Sequence, residues 1–178
     1  MADFSTSVLV VLRNEGAFSN EEHDAGGETY KGIARNFHPD WPGWATIDSA
    51  KDQPGFPSTL DMDAALQQAV LDFYRTSYWA YDGIENQDAA TKILDMTVNM
   101  GKKGGITYLQ QALKSCEAGP IVADGVYGPE TEKAVNAAAP SDLLRELRFQ
   151  SVSHYTRIVL AIPSQEKFLA GWLARAVQ

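Results

Sequence analysis

Asn14 to Ile33 read NEGAFSNEEHDAGGETYKGI, and the interpretation of the whole chain turns on this stretch. Just before it, Ser5 to Arg13 read STSVLVVLR, apolar nearly all round, which is the pattern of a buried helix rather than a surface one. Glu15 follows Leu12 by three residues and Val11 by four, so a helix would carry it on a buried side. Gly16 is the expected helix stop. A carboxylate there meets the negative end of the helix dipole in a partly buried setting. General acid catalysis at neutral pH requires surroundings of that kind. Asp24, Gly26, Gly27 and Thr29 follow. Two glycines in a polar stretch predict a tight turn or short hairpin that folds back on the helix end. That return would bring Asp24 and Thr29 to Glu15 across a cleft. An acid beside a second carboxylate and a hydroxyl that can hold a water is the equipment for glycoside hydrolysis.

The spacing carries a resemblance. Glu15, eight residues, Asp24, four residues and Thr29 resemble the Glu–Asp–Thr constellation of T-even phage lysozymes, where the last gap is one residue longer. The longer string EG-x-x-x-N-x-x-x-D-x-GG-x-T-x-x-GI resembles the N-terminal signature of glycoside hydrolase family 108, the N-acetylmuramidases. Family members usually carry a second glycine and often a tyrosine where Ala17 and Phe18 stand here. The resemblance implies Glu15 as general acid, with Asp24 and Thr29 on a catalytic water. It implies no cofactor. His38 has no Cys or His partner at ligand spacing, so no metal site is read either.

Composition narrows the partners. The chain has 178 residues, 44% apolar and 21% charged, enough for one compact domain or one domain with two lobes. A net charge of −8 argues against nucleic acid and gives no support for docking on anionic membranes. No stretch is long enough to span a bilayer, so no stable membrane insertion is expected. Cys116 is the only cysteine, which rules out an intramolecular disulfide. No basic segment precedes the first apolar run and no small-residue cleavage site follows it, so a cytoplasmic product without a signal peptide is expected. Release through a holin pore, as for phage endolysins, would then bring it to the cell wall.

Downstream, helices are expected at Thr59 to about Trp79, Asp88 to Met100, Ile106 to Cys116, Pro140 to about Ala161, and from Ser164 onward. Part of Trp44 to Ala50 is a further helical turn. Phe4 with Ser5 or Thr6 is the expected start of the first helix. Asn36 to Ser58 holds four prolines with Trp41 and Trp44, and is the least regular stretch. Tyr30 and Trp44 are candidate sugar contacts, with packing against the core as the competing role. Asp95 to Gly101 (D-x-x-V-N-x-G) resembles a family segment, in which Asn99 would bond a sugar acetamido group or cap the glycine turn. Ala123 to Val135, ADGVYGPETEKAV, resembles the DG-x-x-GP-x-T signature of peptidoglycan-binding modules. A turn feeding a helix also explains every residue of it.

The expected architecture is all-α and lysozyme-like, with a small β-hairpin or turn at the cleft. Residues 1–90 would form the catalytic region and 91–178 a helical peptidoglycan-binding-type region, packed as one unit and acting as a monomer. The expected reaction is hydrolysis of the β-1,4 bond between N-acetylmuramic acid and N-acetylglucosamine by a phage or prophage endolysin. The rivals are a lytic transglycosylase, which needs Glu15 but no bound water, and a non-catalytic wall-binding or secretion-assisting protein.

Overall fold

Helix α1 spans Phe4–Asn14, and a computed structural model describes residues 1–20 and 26–178 around it. The cap of α1 is Asp3, one residue before the expected start. Its carboxylate accepts from the Thr6 amide (2.8 Å) and the Thr6 hydroxyl (2.8 Å). Phe4, Ser7, Val8 and Val11 are buried while Leu9 is exposed, so the helix is one-sided rather than buried all round.

The chain divides into two compact units, Leu12–Ser77 and Met1–Val11 with Tyr78–Gln178. The first holds a three-stranded antiparallel sheet in the order β1 (Phe18–Ser19), β2 (Thr29–Tyr30), β3 (Ile33–Ala34). Tyr30 pairs with Ile33, so Lys31 and Gly32 form a two-residue hairpin turn. Both have positive φ (45° and 78°), as a type I′ turn requires. The expected fold-back lies in the connection between the antiparallel strands β1 and β2, which contains Gly26 and Gly27, and the tight turn at Lys31-Gly32 is a second reversal. The Asn36 amide donates to the Gly26 carbonyl (3.0 Å) and the Arg35 amide to Glu28 (2.8 Å), which extends the ladder away from the turn.

Helix α2 (Gly43–Ala50), a 3-10 turn at Ser58–Met62 and α3 (Ala64–Tyr78) follow the sheet, and the Tyr30 hydroxyl of β2 is bonded to Asp61 of the 3-10 turn and Gln67 of α3. The single helix expected from Thr59 is therefore two elements. Asp63 separates them, and its side chain caps α3 by accepting from the Leu66 amide (2.9 Å). Trp41 and Trp44 meet edge to face, with ring centroids 5.0 Å apart. Their indole N–H groups donate to the Ala69 and His38 carbonyls.

An ion cluster ties β3 to α2. Arg35 lies over the Trp44 ring and forks onto Asp48 (2.7 and 3.1 Å), and Lys51 reaches both Asp48 (2.8 Å) and Glu28 (2.5 Å). The hydrogen bonds from Arg35, and then from Lys51, hold the Asp48 carboxyl at about 2, below its ordinary value. A depressed carboxylate contributes stability that is present above the unfolded value of about 3.9 and is lost as pH falls toward 2. Asp48→Asn is therefore expected to flatten the acid limb of the stability curve in urea unfolding between pH 4 and 2. Because Asp48 is exposed, the wild-type contribution should also shrink at high salt.

The second unit is built on α4 (Gln87–Met100), α5 (Lys102–Ser115), α6 (Pro129–Ala137), α7 (Pro140–Ala161) and α8 (Leu169–Ala176). Asn86 caps α4. The helix expected from Ile106 begins at Lys102, so Gly104 and Gly105 lie inside the first turn of α5. A Cβ on Gly105 would sit 2.7 Å from the Thr97 Cα, so this glycine permits close packing of α5 on α4. The fold class is all-α with a small sheet, as expected. Among the described residues no helix is long and apolar enough to cross a membrane.

Candidate active site

Glu15 is the first residue after α1 and is half-buried. What it faces is the hairpin turn. A Cβ placed on Gly32 would lie 2.6 Å from Glu15 Oε2 and 2.6 Å from the Tyr74 hydroxyl oxygen. Bare backbone therefore seats the carboxylate, and the positive φ of Gly32 reinforces the need for glycine.

The turn itself is held from three sides. The Tyr74 hydroxyl, on α3, donates to the Lys31 carbonyl (2.8 Å). Lys31 Nζ reaches Gln67 Oε1 (2.6 Å) and Asp61 Oδ1 (2.9 Å). Gln67 in turn donates to the Tyr30 hydroxyl (2.9 Å) and the Leu60 carbonyl (2.8 Å). This network fixes the height of the turn, and so the position of the surface against which Glu15 lies. The Lys31 ammonium draws the Asp61 carboxyl below its usual range, and burial pushes the Tyr30 phenol up to about 12. Tyr30 stays neutral and donates to Asp61 (3.1 Å).

Gly32→Ala is expected to leave a folded protein with about 10²-fold lower turnover, the penalty of displacing a reacting group by roughly an ångström. Turnover on soluble glycan, compared with a thermal melt of the same variant, checks this. A melt unchanged with full turnover would show that the contact does not matter.

The other expected site residues fall as follows. Thr29 begins β2, is half-buried, and its hydroxyl donates to the Gly27 carbonyl (3.3 Å). Asp24 lies outside the described residues. Tyr30 and Trp44 are 1% and 4% exposed, packed with Trp41 and engaged through their polar tips. The structure thus gives both rings the packing role and offers neither face to a sugar. Asn99 lies in the other unit, near the end of α4. Its amide faces the Arg175 guanidinium, for which the amide oxygen is the complementary group. Lys31 and Tyr74 were not singled out from sequence, and Gly32 entered only as a position of the family string, with no role. Lys-Gly between Tyr30 and Ile33 was the available signal, since a glycine in a two-residue gap between apolar residues marks a hairpin turn. Among the described residues no cluster of His, Cys, Asp or Glu is arranged to hold a metal ion.

Comparison with known proteins shows the family and the fold. Residues 8–101, just over half the chain, match the glycosyl hydrolase 108 family model. Residues 104–177 match the model of a predicted peptidoglycan domain. No curated protein matches the chain. A solved structure of Brucella abortus SagA superposes with a TM-score of 0.65 at 22% identity, covering 97% of this chain and 88% of that one. At that identity the likeness is one of fold.

Proposed function

The chain belongs to the glycosyl hydrolase 108 family, and from that premise we propose that it is a muramidase. It would cleave the β-1,4 bond between N-acetylmuramic acid and N-acetylglucosamine in peptidoglycan. The coarser statement, a glycoside hydrolase acting on peptidoglycan, follows from the family match together with the peptidoglycan-domain match. The observation that supports the finer one is Glu15, a half-buried carboxylate at a helix end, seated on the backbone of a hairpin turn.

In this reading Glu15 donates its proton to the glycosidic oxygen as the bond to the anomeric carbon breaks. Asp24 and Thr29 hold a water on the opposite face of the sugar. Asp24 accepts the water's proton as its oxygen attacks, which inverts the anomeric centre. The N-terminal half carries this chemistry and the C-terminal half holds the enzyme on the wall. The protein acts as a lysis enzyme of the endolysin type, reaching the wall after release.

Digestion of purified peptidoglycan by wild type and Glu15→Gln, with mass spectrometry of the fragments, tests the proposal. Reducing muramic ends from wild type and none from the variant are expected. Anhydro-muramic ends would move the protein to the lytic transglycosylases and remove Asp24 from the mechanism. No fragments from either protein, with retained binding to the sacculus, would leave a wall-binding protein.

A further inference from the structure

Two hollows flank Pro120 and Ile121 in the loop between α5 and α6. One, of about 310 Å³, is lined by Val122, Val126 and Pro129, with Asp124 and Glu130 as its charged members. The other, of about 200 Å³, is lined by Ala118, Ala134 and Ala137, with Glu130 and Lys133. Pro120, Ile121 and Glu130 line both, so the hollows are neighbours along one end of α6.

The loop is built to hold this shape. Gln110 is buried in α5, where its amide N–H donates to Asp124 Oδ1 (2.8 Å) and the Val126 carbonyl (3.0 Å). Its oxygen accepts from the Gly125 amide (2.8 Å). A Cβ on Gly125 would collide with Lys103 and Thr107, so the turn lies close against α5. Hydrogen bonds from the Val126 amide and Gln110 hold the Asp124 carboxyl below its ordinary range, which keeps it charged. Yet Val122 and Val126, within and beside the DG-x-x-GP-x-T string, are 71% and 64% exposed. A turn needed only to start α6 has no use for two exposed valines on a loop fastened this firmly. Preformed concavity with aliphatic walls and a few placed charges is the usual make-up of a ligand site.

We propose that these hollows bind the stem peptide of peptidoglycan rather than its glycan, an inference that rests on the wall-hydrolase reading above. No aromatic ring lines either hollow, so neither offers a platform for a sugar face. Small aliphatic walls suit the methyl groups of alanine residues. The Asp124 and Glu130 carboxylates suit the free ammonium of a diamino acid, and Lys133 suits a peptide carboxylate.

The test uses the full chain carrying Glu15→Gln, so that binding is read without digestion. Binding is measured to intact sacculi by co-sedimentation, and by titration to two soluble preparations: strands that keep their stem peptides, released by an endopeptidase, and bare strands, released by an amidase. The free probe is the tetrapeptide L-alanyl-D-γ-glutamyl-diaminopimelyl-D-alanine. Bare strands should bind about tenfold more weakly than peptide-bearing ones, the order expected when a few central contacts are lost. The tetrapeptide should compete and shift the Val122 and Val126 amide resonances. Glu130→Lys and Val126→Asn, both at exposed positions, should weaken binding to intact sacculi with the thermal melt unchanged. Equal binding to both kinds of strand, or a tetrapeptide that neither competes nor shifts those resonances, overturns the proposal and assigns wall binding to the glycan. Failure of the hydrolase reading is seen separately, as absence of reducing muramic ends from the wild-type protein.

Discussion

Glu15→Gln is expected to lower the rate of glycan cleavage by about 10²–10⁴-fold, the usual share of a general acid, while binding to sacculi is retained. The amide has the shape of the carboxylic acid and can rest on Gly32 in the same way, but it has no proton of useful acidity to give. Glu15→Asp makes the complementary case. It keeps the acid but is one methylene shorter, which draws the carboxyl back from the surface formed by Gly32 and Tyr74. A loss of about 10²-fold is expected there, from misplacement rather than lost chemistry. Asp24→Asn and Thr29→Ala separate hydrolysis from transglycosylation. Under hydrolysis both slow the reaction, because each removes a handle on the attacking water. Under transglycosylation both leave the rate near that of wild type. Initial rates of soluble fragment release, measured for the four variants beside thermal melts, decide between these outcomes.

Much of this arrangement was legible because it is local. The apolar run before Glu15, Pro140 at the start of α7 and Asn99-Met100-Gly101 at the end of α4 each signal an element through residues a turn or two apart. The chain reverses twice, and only the first reversal was read from sequence. Gly26-Gly27 lies in the connection between β1 and β2, whereas the tight turn between β2 and β3 depends on which residues the sheet buries. Register that puts Tyr30 and Ile33 inside puts the turn at Lys31-Gly32. Tyr30 and Trp44 could not be placed from sequence for a related reason. An aromatic ring serves a core and a sugar equally well, and only Asp61, Gln67 and the His38 carbonyl, brought in by the fold, settle which. The expected start of α5 at Ile106 was four residues late, because Gly104-Gly105 precede it and glycine weakens helices. Here close packing of α5 on Thr97 outweighs that weakness.

The contact least accessible to sequence reasoning spans 80 residues and supports the second large prediction. Lys92 and Asp95 are both buried on α4, and Asp95 sits between two cations. Its oxygens face Lys92 Nζ (3.3 Å) and Arg175 Nε (2.8 Å), and Lys92 also donates to the Arg175 carbonyl (3.0 Å). One carboxylate thus fastens α8 to α4. Asp95→Ala should cost about 3–5 kcal/mol in chemical unfolding, because it leaves buried positive charge without its counter-ion. Lys92→Met should cost far less. Asp95 keeps Arg175, and an apolar chain of similar length fills the space without the burden of desolvation. The pH dependence distinguishes this from ordinary loss of packing. Burial already holds the Lys92 ammonium below its ordinary value, against the pull of Asp95. Removing Asp95 lowers it further. Between that depressed value and about 10.4, the unfolded chain binds the proton and the folded chain does not, so stability rises with pH across the window. The deficit of Asp95→Ala should therefore shrink as pH is raised toward 10. A simple cavity would leave it unchanged, and a pH-independent deficit would show that the buried charge is not what the mutation exposes.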